Sequence, residues 1–114
     1  MARKLLLLLL TLASCSKGPE ADLQYVSDAR SVAAEWALVN EQAAHGKLTR
    51  TYVDSMHQWL RQQMQTDSSS LSQPKSAYAA EIAAVLDQPD DAAPAQLRSH
   101  ADRLKQIEDS LESA

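Results

Sequence analysis

The sequence predicts an all-α fold, a small antiparallel bundle of three to four amphipathic helices set behind a leader segment. Three observations carry this. The 114 residues suffice for one domain, and they hold only 2 glycines and no phenylalanine, while alanine, glutamine, leucine and serine abound. Alanine and unbranched side chains lose least on entering a helix. Apolar residues recur at alternating three- and four-residue steps, the spacing of one helix face, and no segment shows the two-residue alternation of a strand.

Residues 1–14 are read as the leader, 15–19 as a tether and 20–114 as the helical domain. Arg3 and Lys4 form a short positive region, Leu5 to Leu10 an unbroken apolar run, and Thr11, Leu12 and Ala13 lead to Cys15, the one cysteine. The run has the length of a secretory signal and falls short of the ~20 residues that span a bilayer. An ordinary signal peptidase wants small residues at −3 and −1. A cut before Cys15 would set Leu12 at −3, whereas a cut after Ser16 would set Ser14 there. Leu12-Ala13-Ser14-Cys15 resembles the lipobox of bacterial lipoproteins: an aliphatic residue, two small residues, then cysteine. The resemblance ends at Cys15. It implies cleavage between Ser14 and Cys15, a diacylglycerol on the Cys15 sulfur and an acyl chain on the new amine. Two or three such chains hold a protein firmly at a membrane, each buried methylene contributing about 0.8 kcal/mol. Ser16 and Lys17, in place of an aspartate after the cysteine, imply the periplasmic face of the outer membrane in a Gram-negative host. A plain secreted chain or a buried cysteine is the alternative.

Four helices follow. Gly18-Pro19 breaks the tether, and Pro19 can open a helix running from about Glu20 to Ala44, with Glu20 and Asp22 favoured by the dipole in its first turn. Its stripe is Val26, Ala29, Ala33, Trp36, Asn40 and Ala43, closed by Gly46 past the C-terminus. Asn40 is read as an edge residue, with a buried, register-fixing asparagine as the alternative. Thr49 can cap the second helix, with Leu48 and Val53 as a hydrophobic staple. Its stripe is Val53, Met56, Leu60 and Met64, and it fades into Thr66-Asp67-Ser68-Ser69-Ser70, a loop or fraying end. The third is placed from Pro74 to Gln88 on Tyr78, Ile82, Val85 and Leu86; it could instead continue the second, interrupted at Pro74. Asp90 and Asp91 offer an acidic cap to the fourth, Pro94 to Leu111, with stripe Leu97, Ala101, Leu104, Ile107 and Leu111. Arg98–Asp102 and Lys105–Asp109 have the i,i+4 spacing of surface ion pairs.

Beyond the leader there are 9 basic and 15 acidic residues, a net charge of −6, and no basic cluster. This excludes the phosphate-backbone footprint of a nucleic-acid binder. The carboxylates, Asp28, Glu35 and Glu41 among them, are expected on solvent faces. His45, His57 and His100 lie on different elements without metal-ligand spacing and read as solvated or capping residues. Gly46-Lys47-Leu48-Thr49 lacks the upstream glycine and strand of a phosphate loop, and no nucleophile motif is present. No enzyme, metal or cofactor is expected, apart from the covalent lipid on Cys15. The aromatic residues are the candidate partner contacts: Trp59, at a stripe edge, and Tyr52 beside it, with Trp36 also a candidate although it lies centrally on a core stripe.

These features point to a non-enzymatic envelope lipoprotein that docks, stabilises or positions a protein partner. Small helical lipoproteins that escort secretin subunits are similar in size and architecture, without a shared motif. The alternative is a structural lipoprotein that self-associates through the fourth helix, although the terminal lysine and sustained heptads of the major murein lipoprotein are missing. A small ligand carrier or hydrolase is the third reading.

Overall fold

Pro19 occupies the first helical position after Gly18, whose φ of 109° only glycine adopts freely. From there the computed structural model, which describes residues 18–113, forms four helices: α1 Pro19–Ala44, α2 Arg50–Ser70, α3 Ala77–Leu86 and α4 Pro94–Glu112. No strand occurs among the described residues. Ser14 and Cys15, with the cleavage and lipidation expected there, lie outside them.

The helix ends follow the chemistry of their residues. Gly46, at φ 68°, supplies the left-handed residue past α1, and the Gly46 and Lys47 amides donate to the Ala43 and Gln42 carbonyls. The Thr49 hydroxyl accepts from the Tyr52 amide at 3.2 Å, and Leu48 and Val53 both pack on the core. Two boundaries differ from expectation. α2 does not fade at Thr66 but continues to Ser70, because Met64 and Asp67 are buried in its last turns and Leu71 packs on the core just beyond. α3 begins three residues after Pro74, where the Ser76 hydroxyl caps the Ala79 amide at 3.1 Å. Helices α2 and α3 are thus separate. The acidic cap expected for α4 does not form: Ala93 stands at the N-cap without a side-chain bond.

The long-range pairs set the directions. Arg30 with Glu108 and Glu41 with Arg98 run α4 antiparallel to α1. Asn40 with His57, and Asp22 with Ser72, do the same for α2. Short α3 packs on α2 and α4 and only slightly on α1, and its Glu81 meets His100 and Arg103 of α4. α1 packs most extensively on α4 and α2, which occupy opposite corners. Trp36, Leu60, Met64, Ile82, Leu97 and Leu104 are fully buried between them, each contributing about 1.5–3 kcal/mol. Fully buried Ala29, Ala33 and Ala37 keep the surface of α1 low, so neighbouring helices can approach closely. Arg98 reaches Glu41 rather than Asp102, while Lys105 and Asp109 form the expected pair at 3.0 Å.

Asp22 departs most from its expected role. It is buried at 1% exposure, and its carboxylate accepts from the Ser72 amide at 2.8 Å, the Gln73 amide at 3.1 Å and the Tyr78 hydroxyl at 2.6 Å. It ties the α2–α3 link to the start of α1. Burial alone would raise its pKa, but these donors outweigh burial and hold the carboxyl below the usual aspartate value. Its contribution is therefore present above the unfolded pKa, near 3.8, and is lost as pH falls through the depressed folded value. Asp22→Asn turns an acceptor into a donor facing donors. It is expected to cost about 1–3 kcal/mol in urea unfolding at neutral pH, and to speed amide exchange at Ser72 and Gln73. Unchanged exchange there would refute the tie.

Candidate functional site

One cluster of interior polar groups, around Asn40 and His57, lies at the end of the bundle formed by the α1–α2 and α3–α4 links. The Trp36 Nε1–H donates to the Asp90 carbonyl at 2.9 Å. Asn40 Nδ2 donates to the same carbonyl at 3.0 Å and to that of Ala92 at 2.8 Å. Arg61, from α2, donates through Nη1 to the Leu86 carbonyl at 2.9 Å, through Nη2 to the Gln88 carbonyl and through Nε to the Asp90 carboxylate at 2.6 Å. Its guanidinium lies 4.8 Å from the centroid of the Trp36 ring, a cation–π distance. Three side chains from two helices thus hold the 86–92 link by its carbonyls, which would otherwise be orphaned at the end of α3.

The same network fixes a tautomer. Because Asn40 Nδ2 is committed to two carbonyls, its Oδ1 faces His57 Nε2 at 2.7 Å and must accept. Nε2 therefore carries the proton and, in the neutral ring, Nδ1 keeps its lone pair. His57 is 7% exposed and lines an open groove of about 410 Å³ with Leu48, Arg50, Val53, Asp54 and Asp91. Asn40 therefore takes the buried, packing role and not the edge one.

Several further groups expected in solvent are inside. His100 is 4% exposed, its Nδ1 2.6 Å from Glu81. His45 is exposed at the end of α1. The three histidines do not converge, and among the described residues no group of three His, Cys, Asp or Glu could hold a metal ion. Glu108 is buried against α1, where Arg30 Nε donates to it at 2.8 Å; that bond outweighs burial and lowers its pKa. Asp67 of α2 is buried beside Asp28 of α1. Burial first, then the shared hydrogen bond and the Asp28 charge, push Asp67 up to about 8. At neutral pH it is a protonated donor to Asp28, and its Oδ2 has no partner.

The three candidate contacts separate. Trp36 is fully buried, so it is a core residue and not a partner contact; its indole needed the deepest apolar position and found a carbonyl for its N–H. Tyr52 and Trp59 are 49% and 46% exposed and share one side of α2. The α1–α2 register sets Leu38, 53% exposed, level with Trp59, since residue 40 faces 57 and residue 28 faces 67. A small groove of about 180 Å³ between the helices, lined by Leu38, Val39, Leu48, Tyr52 and Met56 with Glu35 and Gln42 at its α1 side, completes this surface. Leu38 was missed in the sequence because it lies off its helix's core stripe; only its position opposite Tyr52 and Trp59 gives it meaning.

From Ser55 to Pro74 no exposed side chain bears a charge: His57 and Asp67 are buried, and Arg61 is held by the 86–92 link. On α4, by contrast, Arg98, Asp102, Arg103, Lys105 and Asp109 are all exposed. Charge depletion around exposed aromatic residues is the composition of an interface centre. No described helix is long and apolar enough to cross a membrane. Compared with known protein families, curated proteins and solved structures, the chain matches none.

Proposed function

We propose that this chain is a small lipoprotein, anchored through acyl chains on Cys15 at the periplasmic face of a Gram-negative outer membrane, that works without enzymatic activity as a docking or assembly factor for envelope proteins. The observation that carries the docking part is the exposure of Tyr52 and Trp59 on α2, which from Ser55 onward presents no exposed charge in an otherwise acidic domain. Aromatic residues at half exposure gain much from being covered, and uncharged neighbours lose little on desolvation. The four residues Leu12 to Cys15 carry the anchoring part.

Cys15→Ala tests the anchor. Wild-type protein is expected in the membrane fraction, with a mass higher than the cleaved polypeptide by the acyl groups; the variant is expected to lose both. Unchanged mass and retention would refute lipidation. A photo-crosslinking residue at Tyr52 tests the surface, and crosslinks no more frequent than from the α4 position Asp102 would refute it.

A further inference from the structure

We propose that the exposed side of α2 is a seam that binds a second copy of this chain, side by side and parallel, on the same membrane. This rests on the docking and anchoring readings and names the partner at the docking surface.

Tyr52, Ser55, Trp59, Gln62, Thr66 and Ser69 are all exposed, and they follow one another at steps of three, four, three, four and three residues. That is the spacing of a helix–helix seam. The core stripe of α2, Val53, His57, Leu60, Met64 and Asp67, has the same rhythm on the side facing the bundle. One helix therefore carries two seams, of which only one is covered.

Charge selects the occupant. Beyond the leader the chain has a net charge of −6. Two copies meeting through most faces would bring acidic groups together. The α2 seam contains no charged side chain, so like can meet like there without repulsion. Glutamine, serine and threonine each donate and accept, so they can also satisfy their own kind.

The tether selects the direction. Cys15 lies four residues before Pro19, and four extended residues span at most ~14 Å, so the start of α1 stays near the lipid. Two copies on one membrane then carry their α2 helices parallel, with equal residues at equal height. That matches Tyr52 and Trp59 with their own kind, and Gln62, Thr66 and Ser69 with theirs. An antiparallel pair would set Tyr52 against Ser69 and Trp59 against Gln62.

The seam is small. A helix of 21 residues is about 31 Å long and ~10 Å wide, or roughly 300 Å² per copy, well under the ~800 Å² of a standard interface. Association in free solution is therefore weak, and confinement to a membrane supplies the effective concentration that makes it useful.

The chain's single cysteine makes the test direct. Ser55→Cys, Ser69→Cys and the α4 control Ser110→Cys are made in the full-length chain, oxidised in its own membranes and read on a non-reducing gel. The parent chain reports on the anchor separately: an acylated Cys15 cannot form a disulfide, so a dimer of the parent would refute lipidation, and the same variants in a Cys15→Ala background would then test the seam alone. Ser55→Cys and Ser69→Cys are each expected to link to themselves several-fold more than Ser110→Cys. Adding Trp59→Glu, which sets two like charges face to face, is expected to abolish the Ser55→Cys link. Linkage no greater than the control overturns the seam, and linkage seen only when the two α2 variants are mixed overturns the parallel arrangement.

Discussion

Replacing Trp36 with alanine is expected to cost about 3–5 kcal/mol, a large part of the ~5–10 kcal/mol that a domain of this size holds. The indole is fully buried, bonds the Asp90 carbonyl and carries the Arg61 guanidinium on its face. Its loss opens a cavity among α1, α2 and the 86–92 link, and leaves Arg61 to hold that link without its apolar floor. Trp36→Phe keeps most of the volume and gives up one hydrogen bond, for about 1 kcal/mol plus packing adjustments. Circular dichroism during urea unfolding separates the two. A Trp36→Ala midpoint equal to wild type would show that the indole does not hold the bundle together.

The second large effect is one of pH, with opposite sign to that at Asp22. The folded pKa of Asp67 is raised, so its contribution is complete below the unfolded value, near 3.8, and is lost as pH rises through about 8. Over that window stability falls by an amount on the order of a few kcal/mol. Asp67→Asn keeps the shape and presents an amide donor to Asp28 without a proton to lose. The variant is expected to match wild type near pH 4, to exceed it at pH 9 and to show a flatter profile between. Denaturant midpoints at both ends check this; parallel profiles would mean that Asp67 ionises freely in the fold.

The helices were legible because their causes are local. Pro19, Thr49 and Gly46 mark helix ends within a few residues of themselves, and stripes such as Leu97-Ala101-Leu104 need only a periodic pattern. The start of α3 was not, because a proline can stand before a helix as well as open one, and the Ser76 cap follows two residues after Pro74. The buried polar groups were not legible for a different reason. Asp22, Asn40 and Glu108 find their partners fifty to seventy-eight residues away, and nothing near them in sequence says that donors wait there. Asp67 reads as part of a polar loop until α1 supplies Asp28. Of the candidate surface, Tyr52 and Trp59 could be named from their sequence, whereas Leu38 joins them only when α1 and α2 are brought together.

The pairing of α1 with α4 has a consequence for how the chain reaches its fold. The first helix finds its most extensive partner in α4, which begins fifty residues after α1 ends, so closing the core is a long-range step that waits on α4. A truncation within α4 would deny the chain that step altogether, leaving Arg30 without Glu108 and the buried alanines of α1 without cover.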